Sequence, residues 1–529
     1  MGQVRKLNRR GFLGLAGAAG LGGVWSVTGF SEAKAWADPT FGGDPFSLGV
    51  ASGDPHSEGV VLWTRLAPRP LAEDGLGGMP DRRVEVRWEI CEDENFRRVT
   101  ARGVESATPE WGHSVHAEVD QLRPGREYFY RFRVGRDISP VGRTKTAPAP
   151  GSQPNDLRFA FASCQNYPDG YFTAYQHMAQ EDLDLVVHLG DYIYEGPAQG
   201  SIGRGHLPAA EIFSLADYRV RHAQHKTDPF LRDAHQAFPW IVTWDDHEVE
   251  NNYADENSED PAQSPEEFLA RRAVAYKAYY EHMPLRRDSL PSGPDMRIYR
   301  RLRYGSLAEF NVIDTRQYRD DQACGDGQHV PCEEAKDPSR TMLGAEQEQW
   351  LIDGLGGSTS TWKIVANQSV MAKADRDPGP GDLLPMDNWN GYEPARQRIF
   401  DAVAERGVEN MVVITGDAHC SMVTDLKVNF DDPSSATVGA EFLGTSITSG
   451  GDGSDLDTRG REWLAANPNM KFYNNRRGYV RCSLSPTEWH SDYRVVPYVR
   501  TQGAPVQTAG SFVVEAGRPG VQPTTSAAV

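Results

Sequence analysis

Between about residues 46 and 143, apolar and polar positions alternate along short segments that Gly, Pro and Asp residues separate. Alternation with a period of two puts every second side chain on one face, which is typical of half-buried β-strands. Several such strands at short spacing predict a small antiparallel sandwich. The segments that show the pattern most clearly are 59–63, 84–90, 114–119 and 128–134.

The pattern changes after a proline-rich segment at residues 147–154, which we interpret as a linker between domains. Short continuous apolar runs now alternate with helical patterns, and such runs are typical of strands that are covered on both faces in α/β proteins. The sequence therefore predicts a β-sandwich domain at 38–146 and an α/β domain at 155–529. Its clearest helices are predicted at 268–282, after a capping box at 264–267, and at 345–354 and 394–405.

Six apolar runs of the α/β region end at ionisable or amide side chains. In open α/β sheets, functional sites lie beyond the carboxyl ends of the strands. A single Asp or Asn after a strand can serve only as the N-cap of the next helix. Capping does not require Gly-Asp-x-x-Tyr, Asp-His-Glu and Gly-Asp-x-His after three separate strands, so we interpret the set as one convergent polar site. Its members include Cys164, Asp191, Tyr194, Asp246, His247, Asn251, Arg316, Asp417 and His419.

These side chains offer ligands that metal ions accept. Carboxylate, amide and phenolate oxygens suit iron(III), calcium, manganese or magnesium, and imidazole favours a transition metal. One carboxylate could bridge two ions about 3.5–4 Å apart, the spacing used for phosphoryl displacement. Cys164 is either a thiolate ligand or a small apolar residue behind a strand. Glycine precedes both Asp191 and Asp417 and would let the backbone approach an ion closely.

The motifs at 163–165, 188–195, 244–251 and 415–419 resemble the PhoD-type alkaline phosphatase and phosphodiesterase family. More distantly, they are similar to purple acid phosphatases and other calcineurin-like metallophosphoesterases. Residues 50–55 and 61–65 look like the N-terminal domain of the PhoD-type family, so the similarity covers nearly the whole chain. It implies an α/β fold, with a calcineurin-like metallophosphoesterase core of two sheets flanked by helices and an N-terminal all-β sandwich of the fibronectin-III kind.

The resemblance also implies a centre of Fe(3+) and Ca(2+) that hydrolyses phosphomonoesters and phosphodiesters by attack of metal-activated water or hydroxide on phosphorus. In this family pattern, Cys164, Asp191 and Tyr194 would serve iron, and Asp191 could bridge to calcium. The alternative for Tyr194 is that it only packs beside the site. The remaining ligands implied are Asp417 and His419 from the last strand, with Asp246 and Asn251 for the second cation or the phosphate.

Three further side chains are catalytic candidates. The resemblance implies that His247 could protonate a leaving group, because related phosphoesterases place such a histidine there, although it could instead only orient a neighbouring ligand. Arg271 and Arg316 are candidate phosphate clamps, because guanidinium binds phosphate in a bidentate manner, although each could instead belong to a structural salt bridge. The segment at 389–392 is either an aromatic lip over the substrate or a loop that packs its own aromatic rings.

The net charge and the cysteine content restrict the classes of partner and the disulfides that we expect. The chain of 529 residues has a formal net charge of −19, which argues against a broad basic surface for nucleic-acid backbones. We therefore expect no stable nucleic-acid partner, and we expect a monomer. Six cysteines are too few for a disulfide scaffold. Cys324 and Cys332 nevertheless enclose a short polar loop, and we expect a local disulfide there in an exported protein.

The N-terminus has the pattern of an export signal. Arg9 and Arg10 precede Gly-Phe-Leu, as in bacterial twin-arginine signals, and the segment at 11–30 carries no charge. Small residues at 35 and 37 provide a cleavage site, so residues 1–37 are predicted to be a signal peptide. The partner would be the twin-arginine export machinery, and the location would be extracellular or periplasmic. The alternative is a membrane anchor that is never cut.

The leading hypothesis is therefore a secreted metal-dependent hydrolase of phosphomonoesters and phosphodiesters. Its phosphate-ester substrate is open among nucleotides, nucleic acids, teichoic acids and phospholipid headgroups. A phospholipase-D-like phosphodiesterase on the same scaffold, acting on phospholipid headgroups, is the nearest alternative. A non-catalytic surface-binding module that uses the sandwich and a calcium site is a third. Activity that is lost reversibly on chelation would separate the enzymes from the binding module.

Overall fold

The computed structural model describes residues 40–197, 200 and 202–523. The strands of these residues are β1 (Val50–His56), β2 (Gly59–Arg65), β3 (Val84–Cys91), β4 (Val99–Ala107), β5 (Ser114–Val119), β6 (Glu127–Val134), β7 (Asp137–Ile138), β8 (Gly142–Lys145), β9 (Leu157–Ala162), β10 (Leu185–His188), β11 (Pro239–Val242), β12 (Arg300–Tyr304), β13 (Ala308–Val312), β14 (Gln328–His329), β15 (Trp362–Ala366), β16 (Leu384–Pro385), β17 (Met411–Thr415), β18 (Ser421–Lys427), β19 (Thr437–Leu443), β20 (Met470–Asn474), β21 (Arg477–Leu484), β22 (Glu488–Val496), β23 (Gln507–Glu515) and β24 (Arg518–Pro523).

The α-helices of the same residues are α1 (Thr173–Met178), α2 (Leu215–Lys226), α3 (Pro229–Ala237), α4 (Pro265–His282), α5 (Gly344–Gly357), α6 (Glu393–Glu405) and α7 (Thr458–Ala466). The predicted capping box opens α4. The Glu267 N–H donates to the Ser264 side chain, and the Ser264 N–H donates to the Glu267 carboxylate. Two of the N–H groups that a helix start leaves unpaired are thereby satisfied. The three helices predicted from the sequence pattern are confirmed.

Two large sheets form the core of the α/β region. The first has ten strands in the order β24-β23-β22-β21-β9-β10-β11-β1-β2-β5, and the second has seven in the order β12-β13-β15-β17-β19-β18-β20. Alternate residues of one strand enter different cores: Phe159 and Phe161 pack between the sheets, whereas Ala160 and Ala162 pack on the outer side. Burial on both faces explains why these strands have continuous apolar sequences.

Helices cover the outer face of each sheet. Residues of α2, α3 and α4 belong to the same buried cluster as Ala160 and Val186 of the first sheet. Residues of α5 and α6 pack with Val365 and Val413 of the second sheet. The four layers are therefore helices, sheet, sheet and helices, which confirms the predicted two-sheet core flanked by helices.

The N-terminal region contributes to two sheets. Strands β3, β4, β6, β7 and β8 form a separate antiparallel sheet, which packs on β2 through buried residues such as Val60 and Phe132. Strands β1, β2 and β5 instead extend the ten-stranded sheet, because β1 pairs in parallel with β11. The four strands predicted from alternation are all present. One sheet of the N-terminal sandwich thus continues into the α/β sheet, and the boundary between 146 and 155 stays a prediction.

Three further predictions concern the disulfide, the segment at 389–392 and the N-terminus. Cys324 and Cys332 are joined, with a Cα–Cα distance of 6.0 Å, as predicted. Trp389 and Tyr392 are fully buried against α5 and α6, so this segment packs its own aromatic rings and forms no aromatic lip. Among the described helices, none combines the length and apolarity needed to cross a membrane. The predicted signal at residues 1–37 lies outside the described residues.

Candidate metal centre

Two groups of potential ligands meet at the carboxyl ends of the strands. The thiol of Cys164, after β9, lies with the carboxylate of Asp191 and the imidazole of His419, and their ligand atoms are all within 4.8 Å of one another. Asp191 also belongs to a second group with the same spacing, together with Asp246 and His247. A carboxylate shared by two groups is the arrangement that can bridge two cations.

The backbone at these strand ends adopts an unusual conformation. Cys164, Asp191, Asp417 and His419 all have positive φ angles, of 59°, 55°, 65° and 56°. This left-handed region costs a residue with a Cβ about 1–2 kcal/mol, and such strain concentrates at functional sites. Hydrogen bonds between the strand ends hold the turns: the Cys164 N–H donates to the Gly190 carbonyl at 3.1 Å. The sharp turns bring side chains from separate strands into one space.

The glycines before the two aspartates serve packing between strand ends. A Cβ on Gly190, whose φ is +110°, would lie 2.4 Å from the Asp245 Cβ. A Cβ on Gly416 would lie 2.6 Å from the Ser163 Oγ. Both distances are far inside van der Waals contact. The close approach of neighbouring loops therefore accounts for both glycines, and the approach of the backbone to an ion stays a prediction.

Tyr194 joins the first group through its hydroxyl. The hydroxyl donates to Asp191 Oδ2 at 2.9 Å, lies 3.0 Å from His419 Nε2 and accepts from the Ser449 hydroxyl at 2.7 Å. The other carboxylate oxygen of Asp191, Oδ1, is buried and has no hydrogen-bond partner among the described residues. A buried carboxylate oxygen without a partner is costly, so this atom fits a metal ligand.

The electrostatics of the centre favour a cation. Burial raises the pKa of the Cys164 thiol and of the Asp191 carboxyl well above their ordinary values, and the negative charges nearby raise them further. Burial, followed by Asp245, does the same to the pKa of Asp417. Several acids confined in one buried space resist ionisation together, and a bound cation would remove that resistance. The donor set therefore fits metal ions.

His247 is held by a carboxylate at the edge of the centre. Its Nδ1 lies 2.7 Å from Glu195 Oε2, and its ring lies 4.2 Å from the Tyr194 ring. Burial alone would lower the pKa of His247, but Glu195 and Asp246 together raise it well above the ordinary value. The side chain is 20% exposed. One ring nitrogen is thus fixed by Glu195, which leaves the other for a further partner.

Arg316 lies buried beneath the carboxylates. Its guanidinium pairs with Asp245 and with Asp387, at 3.0 Å, and lies 3.7 Å from Asp246. Burial would raise the pKa of Asp246, but Arg316 and then His247 lower it below the ordinary value. This buried arrangement matches the salt-bridge alternative for Arg316 and makes it a residue that holds Asp246 ionised.

The structure does not bring Arg271 or the Asn251 side chain into either ligand group. Arg271 is buried on α4 and pairs with Glu250 and Glu211, both at 2.8 Å. Its guanidinium is therefore occupied, as expected of a structural salt bridge and not of a phosphate clamp. The Asn251 amide donates to Glu259 at 2.7 Å, and only its backbone N–H reaches the cluster, by donating to Glu195.

Some residues of the site were not assigned a role from the sequence. Glu248 accepts hydrogen bonds from the backbone N–H groups of Asp191, at 3.1 Å, and Asp245, at 2.8 Å, and so ties two strand-end loops together. Burial raises the pKa of Glu248 to about 8. Asp387 binds both Arg316 and Arg319. Glu248 lies in the motif at 244–251, whereas Asp387 follows β16, a two-residue strand that is too short to leave an apolar run in the sequence.

Two stacked sheets with helices on both outer faces form a metallophosphoesterase-like fold, with candidate metal ligands at its strand ends. A family model described as "PhoD-like phosphatase" matches residues 159–493, and a model described as "PhoD-like phosphatase, N-terminal domain" matches residues 31–148. The chain belongs to the PhoD-like phosphatase family, as the motifs predicted, and is an enzyme of that family.

Individual relatives agree with this assignment. The chain is 51% identical to alkaline phosphatase D of Bacillus subtilis (strain 168) over 533 residues, which covers 100% of this chain and 91% of the relative. The solved structure of PhoD matches with a TM-score of 0.90 and 52% identity, over 93% of this chain and 94% of that one. Purple acid phosphatase PPD1 from yellow lupin seeds shares the fold at a TM-score of 0.52 and 13% identity, over 91% of this chain and 77% of that one.

Proposed function

We propose that this phosphatase is exported, depends on metal ions, and hydrolyses both phosphomonoesters and phosphodiesters with an alkaline optimum. The observation that carries the proposal is the pair of ligand groups that share Asp191. A diester leaves its phosphate with one negative charge and a monoester leaves up to two, and a cationic centre accepts either. Membership of the PhoD-like phosphatase family and the similarity to alkaline phosphatase D support the same activity.

For the metals, we propose iron(III) on Cys164, Asp191 and Tyr194, with calcium near Asp246. The Asn251 amide, which donates to Glu259, would have to turn to reach that calcium ion. Asp417 and His419 complete the centre from the strand end of β17. Thiolate and phenolate suit a ferric ion, whereas carboxylate and amide oxygens suit calcium. When bound, such cations polarise phosphate oxygens and lower the pKa of a water molecule. The unpartnered Oδ1 of Asp191 supports this assignment, because it is a free ligand atom in a buried space.

The protein's own groups orient the ligands and supply a proton. Glu195 fixes the His247 ring, and we propose that His247 donates a proton to the leaving-group oxygen. Arg316 keeps Asp245 and Asp246 in place and lowers the pKa of Asp246, which favours its ionised form. It is a positioning residue, because its guanidinium is buried among carboxylates.

The proposal is tested first with purified enzyme on an aryl phosphate and a bis-aryl phosphate. We expect both to be hydrolysed. Chelation should abolish both activities, and readdition of iron and calcium should restore them, with elemental analysis before and after each step. If neither ester is hydrolysed at any metal content, the proposed substrate range is wrong. If hydrolysis is confined to phosphatidylcholine vesicles, the phospholipase alternative holds.

The role of His247 is tested by varying the leaving group. His247→Gln should slow hydrolysis of an alkyl phosphate by about 10²–10⁴-fold, because a poor leaving group needs a proton in the transition state. It should affect a nitrophenyl phosphate much less. His490→Gln, a change at an exposed histidine on β22, is the matched control and should alter neither rate. Equal losses on both substrates would mean that His247 only orients its neighbours.

Export is tested on the secreted protein. Mass spectrometry should find an N-terminus at or near Asp38, because the small residues at 35 and 37 precede it. Replacing Arg9 and Arg10 with lysines should retain the protein in the cytoplasm. A secreted protein that still begins at Met1, or export that tolerates both lysines, would contradict the twin-arginine signal.

A further inference from the structure

A cavity of about 540 Å³ lies apart from the candidate metal centre, and no residue of either ligand group lines it. It is bounded by the end of β1, the start of β12 and the middle of α5. Its wall carries an unusual set of side chains for a protein with a net charge of −19. The wall also includes the acids Asp54 and Asp288, but the arginines outnumber them, so we call it the basic cavity. Its four arginines and two aromatic residues are Arg286, Arg297, Arg300, Arg301, Tyr299 and Trp350.

Two of the four arginines are already paired. Arg300 binds Asp54 at 2.6 Å, and Arg301 donates to Asn311 at 2.7 Å and lies 3.5 Å from Glu309. These contacts fix the two side chains and neutralise much of their charge. They therefore build the wall of the basic cavity and leave the other two arginines to account for its excess charge.

Arg286 and Arg297 form no salt bridge with any residue that the structure describes. The Arg286 Nη2 donates only to the Asp54 backbone carbonyl, at 3.2 Å, and its Nε is buried without a partner. Arg297 is exposed and lies over the Tyr299 ring, at 4.5 Å from its centroid. A buried N–H without an acceptor costs free energy, so Arg286 gains from an anion that enters the cavity.

The position of the basic cavity relates it to the metal centre. Strand β1 runs parallel to β11, and Arg300 donates to the carbonyl of Val242, the last residue of β11. The chain that follows Val242 carries Asp245 and Asp246. The basic cavity is therefore at the same edge of the sheet as the metal centre, where a second anionic group of a large substrate, or a free anion, can enter.

We propose that the basic cavity binds a phosphate group through Arg286 and Arg297. Guanidinium matches the geometry of phosphate by paired N–H donors, and the paired arginines hold the wall rigid. The phosphate comes either from inorganic phosphate or from a second phosphate of the substrate. Binding at this cavity is separate from hydrolysis, so its failure and the failure of the proposed activity are measured independently.

The test counts phosphate ions bound to the metal-loaded enzyme by equilibrium dialysis with labelled inorganic phosphate. We expect two equivalents per chain for the parent and one for the double variant Arg286→Ala/Arg297→Ala. The control Arg102→Ala/Arg287→Ala removes the same charge at exposed positions outside the cavity and should keep two. An unchanged number of equivalents and unchanged affinity in the double variant would overturn the proposal.

A kinetic comparison identifies the source of the phosphate. If it belongs to the substrate, the double variant should raise KM about tenfold or more for an aryl phosphate with a second phosphate group, and leave KM for the simple aryl phosphate unchanged. If it is inorganic phosphate, both KM values should stay unchanged while one bound equivalent is lost. Unchanged binding of inorganic phosphate in the double variant would refute both versions, whatever the KM values.

Discussion

Tyr194→Phe removes a single oxygen from the middle of the proposed metal centre. That oxygen contacts Asp191, His419 and Ser449 at 2.7–3.0 Å. The chain offers a matched control two residues earlier. Tyr192→Phe is the same chemical change at another buried tyrosine, but the Tyr192 hydroxyl lies 2.8 Å from His235 Nε2 and accepts from Lys226 at 3.0 Å.

The two variants should lose similar amounts of unfolding free energy, but Tyr194→Phe should lose much more activity than Tyr192→Phe. Without metal, the Tyr194 hydroxyl hydrogen-bonds with three groups, and these bonds are worth about 1.5–4.5 kcal/mol of unfolding free energy together. The Tyr192 hydroxyl accepts from an amine, and losing that contact costs about 1.5–3 kcal/mol if the amine is charged. Losing even a group that only orients a metal ligand typically costs about 10–100-fold in metal affinity or activity. Of the two tyrosines, only Tyr194 has its hydroxyl in the candidate centre, so only Tyr194→Phe should cause at least that loss.

The assay combines four measurements on each variant. These are metal content by elemental analysis, the visible absorption spectrum, urea unfolding, and the initial rate on an aryl phosphate. A phenolate or thiolate on a ferric ion gives a visible charge-transfer band, so the pure parent should be coloured. Tyr194→Phe should weaken or shift the band and cut the rate, while Tyr192→Phe should keep both.

Two results would refute this reasoning. If Tyr194→Phe keeps the metal content, the spectrum and the rate of the parent, Tyr194 only packs beside the centre and the proposed ligand set is wrong. If Tyr192→Phe loses as much rate as Tyr194→Phe at equal metal content, the loss reports destabilisation and not ligation.

Three further predictions concern stability, each measured by urea unfolding. Arg316→Met should lower the unfolding free energy by about 3–5 kcal/mol, because it leaves buried carboxylates unpaired. A decrease no larger than the one that the same substitution causes at an exposed arginine would contradict the assigned network. Cys324→Ser/Cys332→Ser should cost about 2–3 kcal/mol with activity retained, and in the parent both thiols should resist labelling without reductant. Burial lowers the pKa of Lys226 to about 7 from 10.5, so between these values the unfolded chain binds more protons. The unfolding free energy should therefore rise with pH in that window by up to about 1.4 kcal/mol per unit, and Lys226→Met should show a smaller slope.

The local sequence pattern was sufficient to predict the strands and helices, and to identify most residues of the candidate metal centre. Alternation and apolar runs predict strands because a period of two, or burial on both faces, leaves a direct mark on neighbouring residues. The capping box at Ser264 and Glu267 is equally local. Strand-end motifs identified Cys164, Asp191 and His419 as neighbours, since parallel strands bring their carboxyl ends to one edge of the sheet.

Tertiary structure decided what depends on partners far apart in the chain. The sequence around Arg271 and Arg316 cannot show which carboxylates they meet: Arg316 reaches Asp245 and Asp387, each 71 residues away. The same holds for the pairing of β1 with β11, which extends the α/β sheet with strands of the N-terminal region. Such contacts are set by how whole layers pack. Local periodicity reports which face of a segment is buried, and only packing reports what covers it.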